Sequence, residues 1–186
     1  MRLLQIELWQ KFHDVAINNN IANTNKYQMY LSFTIVVDNH AWSRLAATAV
    51  ISNKTKEINQ WILECLLYAT NGLVSQILYT DADAAMIAAV HEILSKTKHN
   101  YCIWHIYKNL EKNLKEKLHD KYNDFIKVWN KCCNSFSEKE FYKQWYDLFA
   151  KYLTAQKYLE RVLGVDVTSW ALCFTHRSFN ARIQLT

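Results

Sequence analysis

An α/β fold, a mixed sheet with helices followed by a C-terminal helical region, is predicted by three observations. Residues 12–52 carry three runs rich in β-branched and aromatic residues, joined by short connections. Residues 55–104 alternate between helical spacing of apolar positions and short apolar runs, and from residue 106 onward helical spacing alone continues.

In chain order, residues 12–18 (FHDVAIN), 27–37 (YQMYLSFTIVV) and 44–52 (RLAATAVIS) read as strands, with Asn39 and His40 turning the chain before the third. Short connections make these an antiparallel meander. Over residues 55–70 the positions Ile58, Trp61, Ile62, Cys65 and Leu66 share one face, which predicts an amphipathic helix. Residues 74–80 (VSQILYT) follow as a strand, residues 82–95 as a helix with Met86, Val90 and Ile93 inward, and residues 100–104 as a short strand. Leu110, Leu114, Leu118, Tyr122, Phe125 and Trp129 then step by three and four residues, with a break near His119 and Asp120, before helices over residues 138–152 and 155–163. Three antiparallel strands followed by alternating helices and strands describe a sheet with helices packed on it. The expected organisation is a core over residues 1–105 and a helical extension of the same unit over 106–186.

Composition narrows the function classes. Average usage of about 7% Gly and 5% Pro would give roughly 13 and 9 in a chain of this length; this one has 2 Gly and no Pro. Gly72 and Gly164 stand alone, so no Gly-rich loop is present to cradle a nucleotide phosphate. The net charge of +5 suits a polyanionic partner but falls short of a dedicated nucleic-acid module. Five scattered cysteines, an odd count with an adjacent pair, point to a reducing compartment. Neither a membrane span nor a signal peptide is legible, so the expectation is a soluble intracellular protein.

Three sets of residues bear on chemistry. Asp81 and Asp83 lie where a strand gives way to a helix, the place where open α/β sheets gather ligands; either a metal at Asp81 or a helix cap by one of the two explains them. Cys102 and His105 form a C-x-x-H spacing, read either as metal ligands or as a buried thiol beside a helix-start histidine. With no second pair at conventional spacing, a zinc finger is not indicated. Lys108, Lys112 and Lys115 open a lysine-rich helical stretch that either follows a phosphate backbone or forms a solvated face paired with Glu111 and Glu116. The seven tryptophans fit core packing better than base stacking.

A string of motifs adds a family. The segments NNIANTNKY (residues 19–27), WILECLL (61–67), YTDADA (79–84), HNYCIWHIYKN (99–109) and EFYKQW (140–145) resemble, in order, the transposase domain of Mutator-like elements (MULE), and within it the far-red-impaired-response branch. The resemblance implies a ribonuclease-H-like core, whose strand order the prediction shares. In such DDE transposases three carboxylates hold two Mg²⁺ or Mn²⁺ ions that activate water and then a DNA 3′-hydroxyl. Two ions stabilise both the attacking and the leaving oxygen of an in-line displacement. By motif match the second carboxylate falls on Asp81, and Cys102 with His105 fall on the family's C-x-x-H pair. The first falls on Asn19, which is neutral; Asp14, five residues earlier, would point to the opposite face of a strand. The third falls on Glu140, or in a stretch beginning where residues 181–186 end the chain.

Both ends are expected to be truncated relative to the family. Two readings follow. One is a degenerate or domesticated transposase core, catalytically inactive, DNA-associated or transcription-regulatory, and nuclear as the resemblance implies. The other is an active divalent-metal-dependent transposase or nuclease, with Asn19 tolerated.

Overall fold

The structure, a computed structural model, describes residues 1–21 and 26–176. The chain divides into two compact units, Met1–Tyr101 and Cys102–Thr186.

The first unit holds a five-stranded mixed sheet of β1 (Val15–Ile21), β2 (Tyr30–Val37), β3 (Ser43–Ile51), β4 (Ile77–Thr80) and β5 (Lys98–Tyr101), in the order β3-β2-β1-β4-β5. β1, β2 and β3 pair antiparallel, as the meander predicts, while β1 with β4 and β4 with β5 pair parallel. Three helices serve this sheet: α1 (Leu3–Phe12), α2 (Lys56–Ala69) and α3 (Ala84–Ile93). Ala16, Val36, Ala46 and Leu78 of the sheet form one core with Trp9 of α1, Leu63 and Leu66 of α2, and Met86, Ala89 and Val90 of α3.

Local chemistry sets the boundaries. Thr55 caps α2, its hydroxyl accepting from the Ile58 N–H at 3.5 Å. At the other end Gly72, at φ +77°, donates its N–H to the Leu67 carbonyl at 2.8 Å and closes the helix. β1 is displaced from the expected residues 12–18, because Phe12 belongs to α1 and the parallel ladder with β4 starts at Val15↔Ile77. Its polar end, Asn18-Asn19-Asn20, has poor strand propensity but is held by the ladder to β2. The Asn18 side-chain amide there donates to Thr34 Oγ1 at 3.0 Å and Ser32 Oγ at 3.3 Å. β5 likewise starts earlier than expected, at Lys98, and Ile103 and Trp104 belong to the next helix.

The turn between β2 and β3 is built on Asp38. Its carboxylate accepts from the backbone N–H groups of His40 (2.9 Å) and Trp42 (3.0 Å) and from Arg44 Nε (2.8 Å). The Trp42 amide and the Arg44 guanidinium hold the Asp38 carboxyl below the usual aspartate value. A depressed folded-state value contributes stability above the unfolded-state pKa of about 4, lost as pH falls through the folded value. Asp38→Asn is therefore expected to be less stable than the natural chain at pH 7, with the gap closing as pH drops below about 4. Urea melts at pH 7 and pH 3 check this; an equal gap at both would show that the carboxylate charge is not what Asp38 contributes.

The second unit is helical: α4 (Ile103–Leu118), a 3₁₀ turn at His119–Lys121, α5 (Tyr122–Cys133), α6 (Glu138–Lys151), α7 (Leu153–Val162), a second 3₁₀ turn at Val167–Ser169, and α8 (Leu172–Thr175). The break expected near His119 falls at the first 3₁₀ turn. Ile106, Leu110, Leu114 and Leu118 form the buried stripe of α4. Trp129, Phe141, Trp145 and Trp170 make an aromatic core, with Trp129 stacked on Trp170 at 4.9 Å between ring centroids and Phe141 on Trp145 at 5.9 Å. Core packing accounts for Trp9, Trp129, Trp145 and Trp170, whereas Trp42, Trp61 and Trp104 are exposed.

Candidate functional site

The C-terminal ends of β1 and β4 lie side by side. Their parallel register runs Val15↔Ile77, Ala16↔Leu78, Ile17↔Tyr79. The ladder ends at Ile17↔Tyr79; continuing its offset for two more residues sets Asn19, still within β1, opposite Asp81, the first residue past β4. Two motif-matched positions far apart in sequence thus come to the same end of two adjacent parallel strands, the place where open α/β sheets gather ligands. Asp14 lies at the other end of β1, accepting from Gln76 Nε2 at 2.9 Å, so the strand itself separates it from this edge.

Of the two aspartates, the structure gives the capping role to Asp83. Its Oδ1 accepts from the N–H groups of Ala85 (3.0 Å) and Met86 (3.3 Å) at the start of α3. Asp81 faces a cation instead: Lys54 Nζ lies 3.9 Å from its Oδ2, both side chains being partly buried. The same ammonium donates to the Asn20 carbonyl at 3.4 Å and sits 5.4 Å from the centre of the Tyr30 ring. Lys54 is carried by the loop between β3 and α2, fixed by Asn53 Oδ1 accepting from the Thr55 N–H at 3.2 Å. Beside it, fully buried Thr80 shares a 2.7 Å hydrogen bond with His99 Nε2 and lies 2.7 Å from the Asp81 carbonyl. Asn19 is half-buried, its side-chain oxygen accepting from the Asn20 N–H at 2.8 Å.

The remaining sequence-predicted residues belong to the second unit. Cys102 is the N-cap residue of α4, and His105 stands in its first turn, its ring edge-on to Trp104 at 4.8 Å. Glu140 is exposed in the first turn of α6, its carboxylate accepting from Gln144 Nε2 at 2.6 Å. Lys108 and Lys115 both reach Glu111, at 3.6 and 3.0 Å, and Lys112 is exposed on the same helix. Paired this way, the face has the i,i+3 and i,i+4 pattern of a solvated helix surface. Among the described residues, no three or more His, Cys, Asp and Glu side chains gather as a metal-binding group. Residues 22–25 of the first motif and the C-terminal stretch 181–186 lie outside the described residues.

Lys54 was not legible as a site residue. It sits in a short polar loop of no recognisable motif, and only the placement of the β3–α2 loop in the assembled fold brings its ammonium to Asp81. His99 was legible only as part of a motif, its contact with Thr80 being a product of the β4–β5 pairing.

Comparison with known proteins places residues 19–109 in the match to a family model described as the MULE transposase domain. The chain is similar to three curated proteins of Arabidopsis thaliana. It is 29% identical over 91% of its length to Protein FAR1-RELATED SEQUENCE 4, covering 23% of that protein. It is 24% identical over 76% to Protein FAR-RED IMPAIRED RESPONSE 1, covering 17%, and 26% identical over 94% to Protein FAR1-RELATED SEQUENCE 5, covering 22%. The chain thus spans about a fifth of the length of these relatives. No helix among the described residues is long and apolar enough to cross a membrane.

Proposed function

We propose, from the match of residues 19–109 to the MULE transposase domain, that this chain is a transposase-derived core that no longer performs phosphodiester chemistry and acts as a DNA-associated, transcription-regulatory module in the nucleus. The strand order β3-β2-β1-β4-β5, antiparallel on one side of β1 and parallel on the other, supports a ribonuclease-H-like reading of the sheet. The likeness to the far-red-impaired-response proteins supports the regulatory branch.

One observation carries the loss of chemistry: at the edge where carboxylates would gather, Asp81 faces the Lys54 ammonium, and the β1 residue that the continued strand offset sets opposite it is the neutral Asn19. A centre for two divalent ions needs several anionic oxygens. One carboxylate, one neutral amide and one cation do not fit it. We derive no step through a metal, and Mg²⁺, Mn²⁺ and zinc are assigned no role in this chain.

Duplex binding tests the DNA-associated role. Fluorescence anisotropy with labelled duplex is expected to show binding that EDTA does not change and that salt weakens. Four phosphate contacts, in keeping with a net charge of +5, would cost on the order of a hundredfold in affinity between 50 and 200 mM salt. Affinity that is insensitive to salt, or absent at 50 mM, would move the function from DNA to protein partners. The active reading would be favoured by binding that requires Mn²⁺ and is lost in Asp81→Ala.

A further inference from the structure

We propose that Lys54 is the resident cation of the β1–β4 edge, its ammonium standing beside Asp81 where a divalent ion would otherwise be held, so that this site is closed to metals by a positive charge as well as by the missing carboxylate at Asn19. The inference rests on the reading of Asn19 and Asp81 as an inherited pair.

The surroundings of Lys54 Nζ are those of an ammonium site. A carboxylate oxygen at 3.9 Å, a backbone carbonyl at 3.4 Å and the face of Tyr30 at 5.4 Å surround it. Oxygen acceptors suit an ammonium or a hard metal ion alike. An aromatic face does not discriminate equally: it attracts a weakly solvated ammonium, whereas a small dication keeps ordered oxygen ligands or waters around itself. The side chain is not a loosely draped surface lysine. Its loop is fixed on both sides, by β3 ending at Ile51 and by the Thr55 cap of α2, so the ammonium is delivered to Asp81 by the fold.

The charge count shows why this matters. With Asn19, Asp81 and Lys54 the edge sums to zero. Converting Asn19 to aspartate makes it −1, and removing Lys54 as well makes it −2. An ammonium about 5–6 Å from a dication, across partly solvated protein, weakens its binding by roughly ten- to a hundredfold. Asn19→Asp alone therefore returns a carboxylate to a site whose own cation still competes for it.

The test compares Mn²⁺ binding, by calorimetry and by loss of the free-ion electron spin resonance signal, in the natural chain, Asn19→Asp, Asn19→Asp/Lys54→Met and Asn19→Asp/Lys54→Arg. Far-UV circular dichroism verifies that each is folded. The Lys54→Met double variant is expected to bind about ten- to a hundredfold tighter than Asn19→Asp, and the Lys54→Arg double variant, which keeps the charge, no tighter than Asn19→Asp. Equal affinity of Asn19→Asp and the Lys54→Met double variant, whether both bind or neither does, overturns the role of Lys54. The proposed loss of chemistry fails separately: tight Mn²⁺ binding by the natural chain, abolished by Asp81→Ala, would show a surviving metal site. Should Lys54→Met fail to fold, Lys54→Gln, which keeps length and hydrogen bonding without charge, makes the same comparison.

Discussion

Supercoiled DNA incubated with the natural chain and Mg²⁺ or Mn²⁺ is expected to stay intact, at a rate indistinguishable from that with Asp81→Ala. Working enzymes accelerate their reactions by about 10⁶-fold or more, so the two outcomes are separated by orders of magnitude rather than by a judgement of degree. The expectation follows from electrostatics at the end of β1 and β4. A two-ion mechanism concentrates a charge of +4 against developing negative charge on the phosphorus-bound oxygens, and the protein must supply the anionic oxygens that keep the ions in place. This edge supplies Asp81, the neutral Asn19 and the opposing charge of Lys54. Glu140 accepts from Gln144 in an exposed turn of α6, as a helix-surface glutamate does. Cleavage that needs Mn²⁺ and disappears in Asp81→Ala would sink the inactive reading whatever the binding data say. Cleavage that persists in Asp81→Ala marks a contaminating nuclease.

Much of this architecture was legible in the sequence wherever one element satisfies itself locally. The β-branched and aromatic runs of β2 and β3, the one-faced spacing of α2, and the change of periodicity at His119 each reflect forces acting within a few residues. What escaped was decided at a distance. α1 is a ten-residue helix with Leu3 and Leu4 exposed, and a helix so short owes its stability to tertiary packing, in this case Trp9 buried among residues of the sheet, α2 and α3. Trp9 also donates its indole N–H to the Leu73 carbonyl at 2.9 Å, a partner 64 residues away. β1 includes three consecutive asparagines because the β2 ladder holds them, against their own propensity. At the candidate site, the motif match pointed to Asp81 and Asn19, and it left open which aspartate caps α3. Only the backbone geometry decides for Asp83, and only the assembled fold brings Lys54 to Asp81.

Trp129→Ala is expected to cost the chain about 3–5 kcal/mol of stability, the range for truncating a large buried aromatic. Trp129 is fully buried in α5, stacked on Trp170 and edge-on to Trp145 at 6.2 Å, so its removal leaves a cavity bounded by rigid rings with few ways to collapse. Aromatic pairing adds roughly 0.5–1.5 kcal/mol to what area alone would give. Trp129→Phe keeps a ring against Trp170, and since the Trp129 indole N–H is buried without a hydrogen-bond partner, the swap forfeits no bond. Its cost should be about 1–2 kcal/mol, less than half that of alanine. Trp104→Ala supplies the contrast: half-exposed at the start of α4, with Lys108 Nζ 5.7 Å above its ring, it should cost less than about 1 kcal/mol. Guanidinium unfolding followed by far-UV circular dichroism ranks the three without relying on tryptophan emission. If Trp129→Ala proved as mild as Trp104→Ala, the aromatic cluster would not be the core of the helical unit, and the concentration of Trp, Phe and Tyr there would need an explanation at the surface, in ligand stacking rather than packing.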